Sequence, residues 1–164
     1  MKLRASMPSH RKTSLTAGIL YLLTFVSIPS IALYSNAKSD NFILGAGPDT
    51  GAIIAGVLEV IVALAGIATA VVLFPMLKKQ REGFALGLVA SRTLEAACIF
   101  VGVAFLMTVV HLRQSGPGSD SLVVSNALVS LYDRIFLLSQ SFIPGINDLL
   151  LGFLLYKSRL IPRA

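Results

Sequence analysis

Four stretches of this chain are too long and too apolar for any role but one. Residues 14–34 (SLTAGILYLLTFVSIPSIALY) carry no charge over 21 positions. Residues 52–77 hold Glu59 as their single ionisable group. Residues 84–112 hold Arg92 and Glu95, and residues 135–156 are interrupted by Pro144-Gly145 and carry Asp148. A bilayer core about 30 Å thick is crossed by about 20 helical residues at 1.5 Å each. Each run meets that length. Period-2 alternation is absent, and every run is much longer than a barrel strand of about 10 residues. In hydrocarbon the backbone must satisfy its own hydrogen bonds within the segment, so these runs are predicted to be helices.

Composition agrees. Charged residues make up 13% of the 164 and hydrophobic residues 55%, where a soluble domain carries about 25% charged. Disorder is excluded, because it needs low hydrophobicity and high charge. One cysteine, Cys98, rules out a disulfide framework, and with only His10 and His111 a Cys/His zinc site is nearly excluded. The chain thus reads as one all-α domain, residues 1–164, with four transmembrane helices.

The connections are short and polar. Residues 35–51 read as a loop with turn chemistry at Gly45-Ala46-Gly47-Pro48-Asp49, residues 78–83 as a tight link, and residues 113–121 as a Gly/Pro/Ser loop. Residues 122–134 fit a helical period through Leu122, Leu128, Leu131 and Ile135. They either lie along the interface or extend the fourth helix. Pro29 and Pro144 are expected to kink or locally break their helices.

Charge sets the orientation. Lys2, Arg4, Arg11, Lys12, Lys78, Lys79, Arg81, Lys157, Arg159 and Arg163 would share one side, against Lys38, Arg113 and Arg134 on the other. The positive-inside rule then places both termini in the cytoplasm, in a bacterial plasma membrane. The net charge of +6 is mostly this asymmetry. Anionic lipid headgroups therefore fit as partners, and nucleic acid does not. Residues 11–37 loosely resemble a cleavable signal, but the apolar run exceeds the usual 7–15 residues, so a retained helix is the better reading.

Intramembrane charge costs about 2.5–3.5 kcal/mol on insertion scales, so such groups face the bundle interior and find partners. The candidates are Glu59, Arg92, Glu95 and Asp148. Ala52, Gly56, Glu59, Ala63, Gly66 and Ala70 form a heptad seam of small residues around one acid, and Gly87, Ser91, Glu95, Cys98 and Gly102 form another. Small residues let helices approach where no hydrophobic effect drives them together. Helices two and three are therefore expected to form a tight antiparallel hairpin, with a GxxxG at Gly83 and Gly87. Counting from the run ends puts Glu59 and Glu95 at similar depth, Arg92 one turn from Glu95, and Asp148 near Arg92. A single Glu59–Arg92–Glu95–Asp148 cluster is geometrically allowed. It serves either as structural pairing, the favoured reading, or as a path for a proton, cation or small polar solute.

Other residues carry less. Cys98 reads as a packing residue, His111 as interfacial, and Asp133-Arg134 as a boundary pair. Tyr21, Tyr34, Tyr132 and Tyr156 need no special role. No GxSxG, HExxH, Walker or dinucleotide fingerprint occurs, so no catalytic residue, cofactor or metal is expected.

The sequence resembles a known family. AGILYLLTFVSIPS at 17–30, GVLEVIVALAGIATAVVLFPMLKKQREGFALG at 56–87, SRTLEA at 91–96, LYDRIFLL at 131–138 and LLYKSRLIPR at 154–163 carry the resemblance across nearly the whole chain. Together they look like the bacterial multi-pass membrane proteins of "domain of unknown function 4386". Members continue past the LIPR segment into two further helices, so the resemblance implies a C-terminally short member. It implies architecture and no activity. The expected function is a non-enzymatic membrane protein that associates with lipid and with a second copy or another membrane protein. The alternatives are a transporter or channel component using the Glu/Arg cluster, and a membrane-embedded lipid-modifying enzyme.

Overall fold

The computed structural model describes residues 9–45, 47–116, 118 and 120–157. Lys2, Arg4, Arg159 and Arg163 of the charge count, and Ala46 of the first loop, lie outside the described residues. Helix α1 (Ser9–Leu23) runs through a 3₁₀ turn (Thr24–Ser27) and Pro29 into α2 (Ser30–Leu33). A short α3 (Asp40–Leu44) follows, then α4 (Thr50–Leu77), α5 (Glu82–Gln114) and α6 (Ser121–Leu137). A π turn (Leu138–Phe142) joins α6 to α7 (Ile143–Lys157). The described residues include no strand. Arg11–Leu33, Thr50–Leu77, Glu82–Gln114 and Ser121–Lys157 are each long and apolar enough to cross a membrane.

The ambiguous stretch 122–134 is helical and continuous with the fourth span, so it extends that helix. Tyr132 and Ile135 pack on Gly102 of α5, where an added Cβ would meet Ile135 Cγ2 at 3.1 Å and Tyr132 Cδ2 at 3.4 Å. The fourth span therefore follows α5 along most of its length. Its last third begins at Pro144, which has no N–H for the Gln140 carbonyl. The ladder opens into the π turn over Leu138–Phe142, just before this proline, the usual physical origin of such a bulge. Pro29 likewise sits where the first span breaks.

The small-residue seam of α4 is buried throughout: Ala52, Gly56, Glu59, Ala63, Gly66 and Ala70 all face inward. The α5 face against it mixes large side chains with alanines. A Cβ added at Gly56 would meet Met107 and Val103 at 3.3 and 3.4 Å, one added at Gly66 would meet Arg92, and Ala63 packs with Ala96 and Ile99. One helix supplies a groove and the other fills it. The Gly83/Gly87 pair takes no part, since a Cβ at either would meet nothing within 4 Å.

The first loop is a plug rather than an open connection. Tyr34, Ala37, Phe42 and Ile43 are buried against Ala52, Ala55, Leu106, Val109 and Val110. Arg113 at the end of α5 fastens it. Arg113 Nη1 donates to Asp49 Oδ1 at 2.6 Å, its Nη2 donates to the Gly45 and Gly47 carbonyls, and its guanidinium lies over the Phe42 ring. We call this the capped end. The opposite, basic end carries exposed Arg11, Lys12, Lys78, Lys79, Arg81 and Lys157. Between the ends, large apolar side chains point outward. Leu149 is 77% exposed and Leu22 69%, a surface that lipid accommodates and water does not.

These contacts set a packing test. Gly102→Val is expected to destabilise the purified protein by about 1–3 kcal/mol, because its branches must displace Tyr132 and Ile135. Gly87→Ala is expected to stay within about 0.5 kcal/mol. Thermal unfolding in detergent measures both, and equal losses would contradict the packing described.

Candidate functional site

The four intramembrane charges fall into two groups. Gly56 stands opposite Val103 and Met107 while Gly66 stands opposite Arg92. Glu59 is therefore level with about residue 100, five residues or about 8 Å nearer the capped end than Glu95. Counting from the run ends missed this offset because α5 extends further past α4 at one end than at the other.

Glu59 belongs to a sealed group. It is 2% exposed. Tyr132 Oη donates to Glu59 Oε1 at 2.8 Å and Tyr34 Oη donates to Oε2 at 3.4 Å. The two rings meet edge to face, 5.3 Å apart. The space beside the carboxyl, lined by Cys98, Gly102, Ile135, Ser139 and Gln140 among others, has no room for a water molecule. Above it Lys38 Nζ sits 4.4 Å from the Tyr132 ring centre and donates to Asp133 Oδ1 at 2.7 Å. Asp133 thus pairs with the first loop, not with its chain neighbour Arg134.

Arg92, Glu95 and Asp148 belong to an open group. Arg92 Nη1 donates to both Glu95 oxygens, at 2.9 and 3.2 Å. Asn147 Nδ2 donates to Glu95 Oε2 at 2.5 Å. Tyr21 Oη on α1 donates to Asp148 Oδ1 at 3.2 Å, and the Arg92 guanidinium lies 5.9 Å from the Tyr21 ring centre. Tyr21, Arg92, Glu95 and Asp148 border a cleft of about 240 Å³, completed by Thr24, Phe25, Val62, Gln140 and Pro144. Each element has a task. The 3₁₀ turn sets Thr24 and Phe25 on one wall, α5 supplies the Arg92/Glu95 pair one turn apart, and the π turn aims Gln140 inward.

Sequence reasoning missed Tyr21, Tyr34, Tyr132, Asn147 and Gln140. A signal existed for some of them. A carboxylate in lipid needs donors, and hydroxyl and amide groups inside the apolar runs are few. Asn147 is fully buried, and its Oδ1 has no hydrogen-bond partner. Cys98 is half-buried beside Glu59. His111 is exposed on α5, sixteen residues or about 24 Å from Glu95. Among the described residues no three His, Cys, Asp or Glu side chains converge as metal ligands.

Helices of this length, apolar outside and polar within, define a multi-pass helical membrane protein. The match to a family model narrows that class. The chain belongs to the family described as domain of unknown function (DUF4386), whose model matches residues 16–164. No curated protein and no solved structure matches it.

The sealed group gives a stability test. Glu59→Leu would leave the Tyr34 and Tyr132 hydroxyls without their acceptor and is expected to cost about 1–3 kcal/mol. Adding Tyr132→Phe to that variant should cost little more, because the stranded hydroxyl is gone. A double-mutant cycle by thermal unfolding checks this, and strictly additive losses would contradict the pairing.

Proposed function

We propose that this is a non-enzymatic membrane protein acting as a component of a transporter or channel, with the Arg92–Glu95–Asp148 cleft as its working site. The observation that supports this is the contrast between the two polar groups. A charged side chain that only braces a bundle can be closed off, as Glu59 is by its tyrosines. Arg92, Glu95 and Asp148 instead border a space of about 240 Å³. Intramembrane charge beside a cavity is the usual mark of a path for an ion, a proton or a polar solute. Glu59 then belongs to the framework and takes no part in transport. The lipid-enzyme reading has less support, because His111 lies far along α5 from the carboxylates.

The membrane setting follows the charge distribution. Arg11, Lys12, Lys78, Lys79, Arg81 and Lys157 at one end favour the cytoplasmic face of a bacterial plasma membrane, beside anionic headgroups. Both termini then lie inside the cell, and the capped end faces out. In a Cys98→Ser background, Lys79→Cys should react with an impermeant maleimide only in inverted vesicles, and Ser115→Cys only in right-side-out cells. The reverse pattern would overturn this orientation.

The transport reading is tested in proteoliposomes loaded with a pH-sensitive dye and given gradients of protons, sodium or methylammonium. Glu95→Gln and Asp148→Asn are expected to lower the flux about tenfold or more, the effect of about 1.4 kcal/mol. Glu59→Gln is expected to keep it. Flux indifferent to Glu95 and Asp148 would overturn the assignment.

A further inference from the structure

The cleft has a direction. Asp148 stands nine residues from Lys157, about 14 Å along α7 from the basic end, and Tyr21 stands ten residues from Arg11 on α1. A side chain exposed at that distance from the helix end is exposed sideways. Asp148 is exposed, and so is Phe25, at 56%, on the other wall. The mouth therefore opens between the first and fourth spans, toward the acyl region of the bilayer. The Tyr21–Asp148 hydrogen bond crosses that mouth.

The cleft also has a sign. Arg92 is committed to Glu95 by two hydrogen bonds, so those charges cancel. Asp148 receives one neutral hydroxyl, and the lining keeps a net charge of minus one. A carboxylate facing hydrocarbon without a countercharge is costly. The rest of the lining is mixed: Phe25, Val62, Pro144 and the Tyr21 ring give an apolar and aromatic wall, and Thr24 and Gln140 add neutral polar groups. A bare metal ion would need several converging oxygens, and among the described residues no such carboxylate group exists. An organic cation meets both demands, because its charge pairs with Asp148 while its body rests on the aromatic and apolar walls.

We propose that the cleft between α1 and α7 is a lateral binding site for amphipathic organic cations, reached from the bilayer, with Asp148 as the countercharge and Tyr21 and Phe25 as the apolar wall. This names the ligand class of the site put forward under Proposed function and rests on that reading.

The test uses benzyltrimethylammonium, a permanently charged cation with one aromatic ring, titrated calorimetrically into the full chain in lipid nanodiscs. Saturable binding is expected. Asp148→Asn, which retains the acceptor for Tyr21, should weaken it about tenfold or more. Asp148→Glu should restore most of the affinity. Asp133→Asn, whose partner Lys38 lies outside the cleft, should leave it unchanged. Thermal unfolding of Asp148→Asn at the wild-type temperature certifies the fold. Equal affinity in wild type and Asp148→Asn overturns the proposal. So does absence of binding together with Asp148-dependent proton or sodium flux in proteoliposomes, an outcome that keeps the transport site and removes the organic ligand. If neither binding nor flux depends on Asp148, both readings fail.

Discussion

A charged or hydrogen-bonding group surrounded by hydrocarbon must find its partner within the protein, since no water will supply one. Much of this bundle is arranged by that demand. Glu59 sits in the middle of a stripe of alanine and glycine on α4, where nothing on its own helix can serve it. Tyr34 comes from the end of the first span and Tyr132 from the fourth, and their hydroxyls converge on the two oxygens. One carboxylate thereby ties three spans together near the capped end. Lower down, Glu95 ties α5 to α7 through Asn147, and Tyr21 ties α1 to α7 through Asp148.

The same demand explains the irregular helix geometry. A straight, regular fourth helix has no reason to open its ladder in the middle. Pro144 removes one donor, the π turn absorbs the misfit, and Gln140 is brought to the cleft. The first span breaks at its 3₁₀ turn and Pro29, so Thr24 and Phe25 border the same space from the other side. Both prolines lie within a turn or two of the cleft. Irregular backbone in a membrane is tolerated where it lines a cavity or is covered by protein, and here it does the former.

Much of the architecture was legible from residue order alone. The four apolar runs correspond to the four long helices, and every residue of the small seam on α4 is buried as its heptad spacing requires. The polar sites were legible only as a set of residues. Charge in an apolar run marks Glu59, Arg92, Glu95 and Asp148 as special, but which of them meet depends on helix register, and register is fixed by side-chain packing such as Gly66 against Arg92. A count from run ends cannot supply it. The plug formed by Tyr34, Ala37, Phe42 and Ile43 is hidden for a related reason. The glycines and polar residues of 35–51 read as loop, while Phe42 and Ile43 are buried by partners 60–70 positions away, Val109 among them, and Arg113 fastens Gly45. Spacing does not show what a small seam meets: Gly102 of the α5 seam receives Tyr132 and Ile135 of the fourth span, and the groove on α4 receives valine, methionine, isoleucine and arginine side chains of α5 beside its alanines.

One polar group of the bundle is closed and the other is open. In a Cys98→Ser background, a cysteine replacing Thr24 would border the cleft, and one replacing Ser139, 1% exposed, would sit beside Glu59. The most direct measurement is the rate at which a small, positively charged thiol reagent modifies each in lipid nanodiscs. Rapid modification is expected at position 24 and none at position 139 while the protein stays folded. Equal rates at the two positions, or reaction at 139 alone, would contradict that contrast.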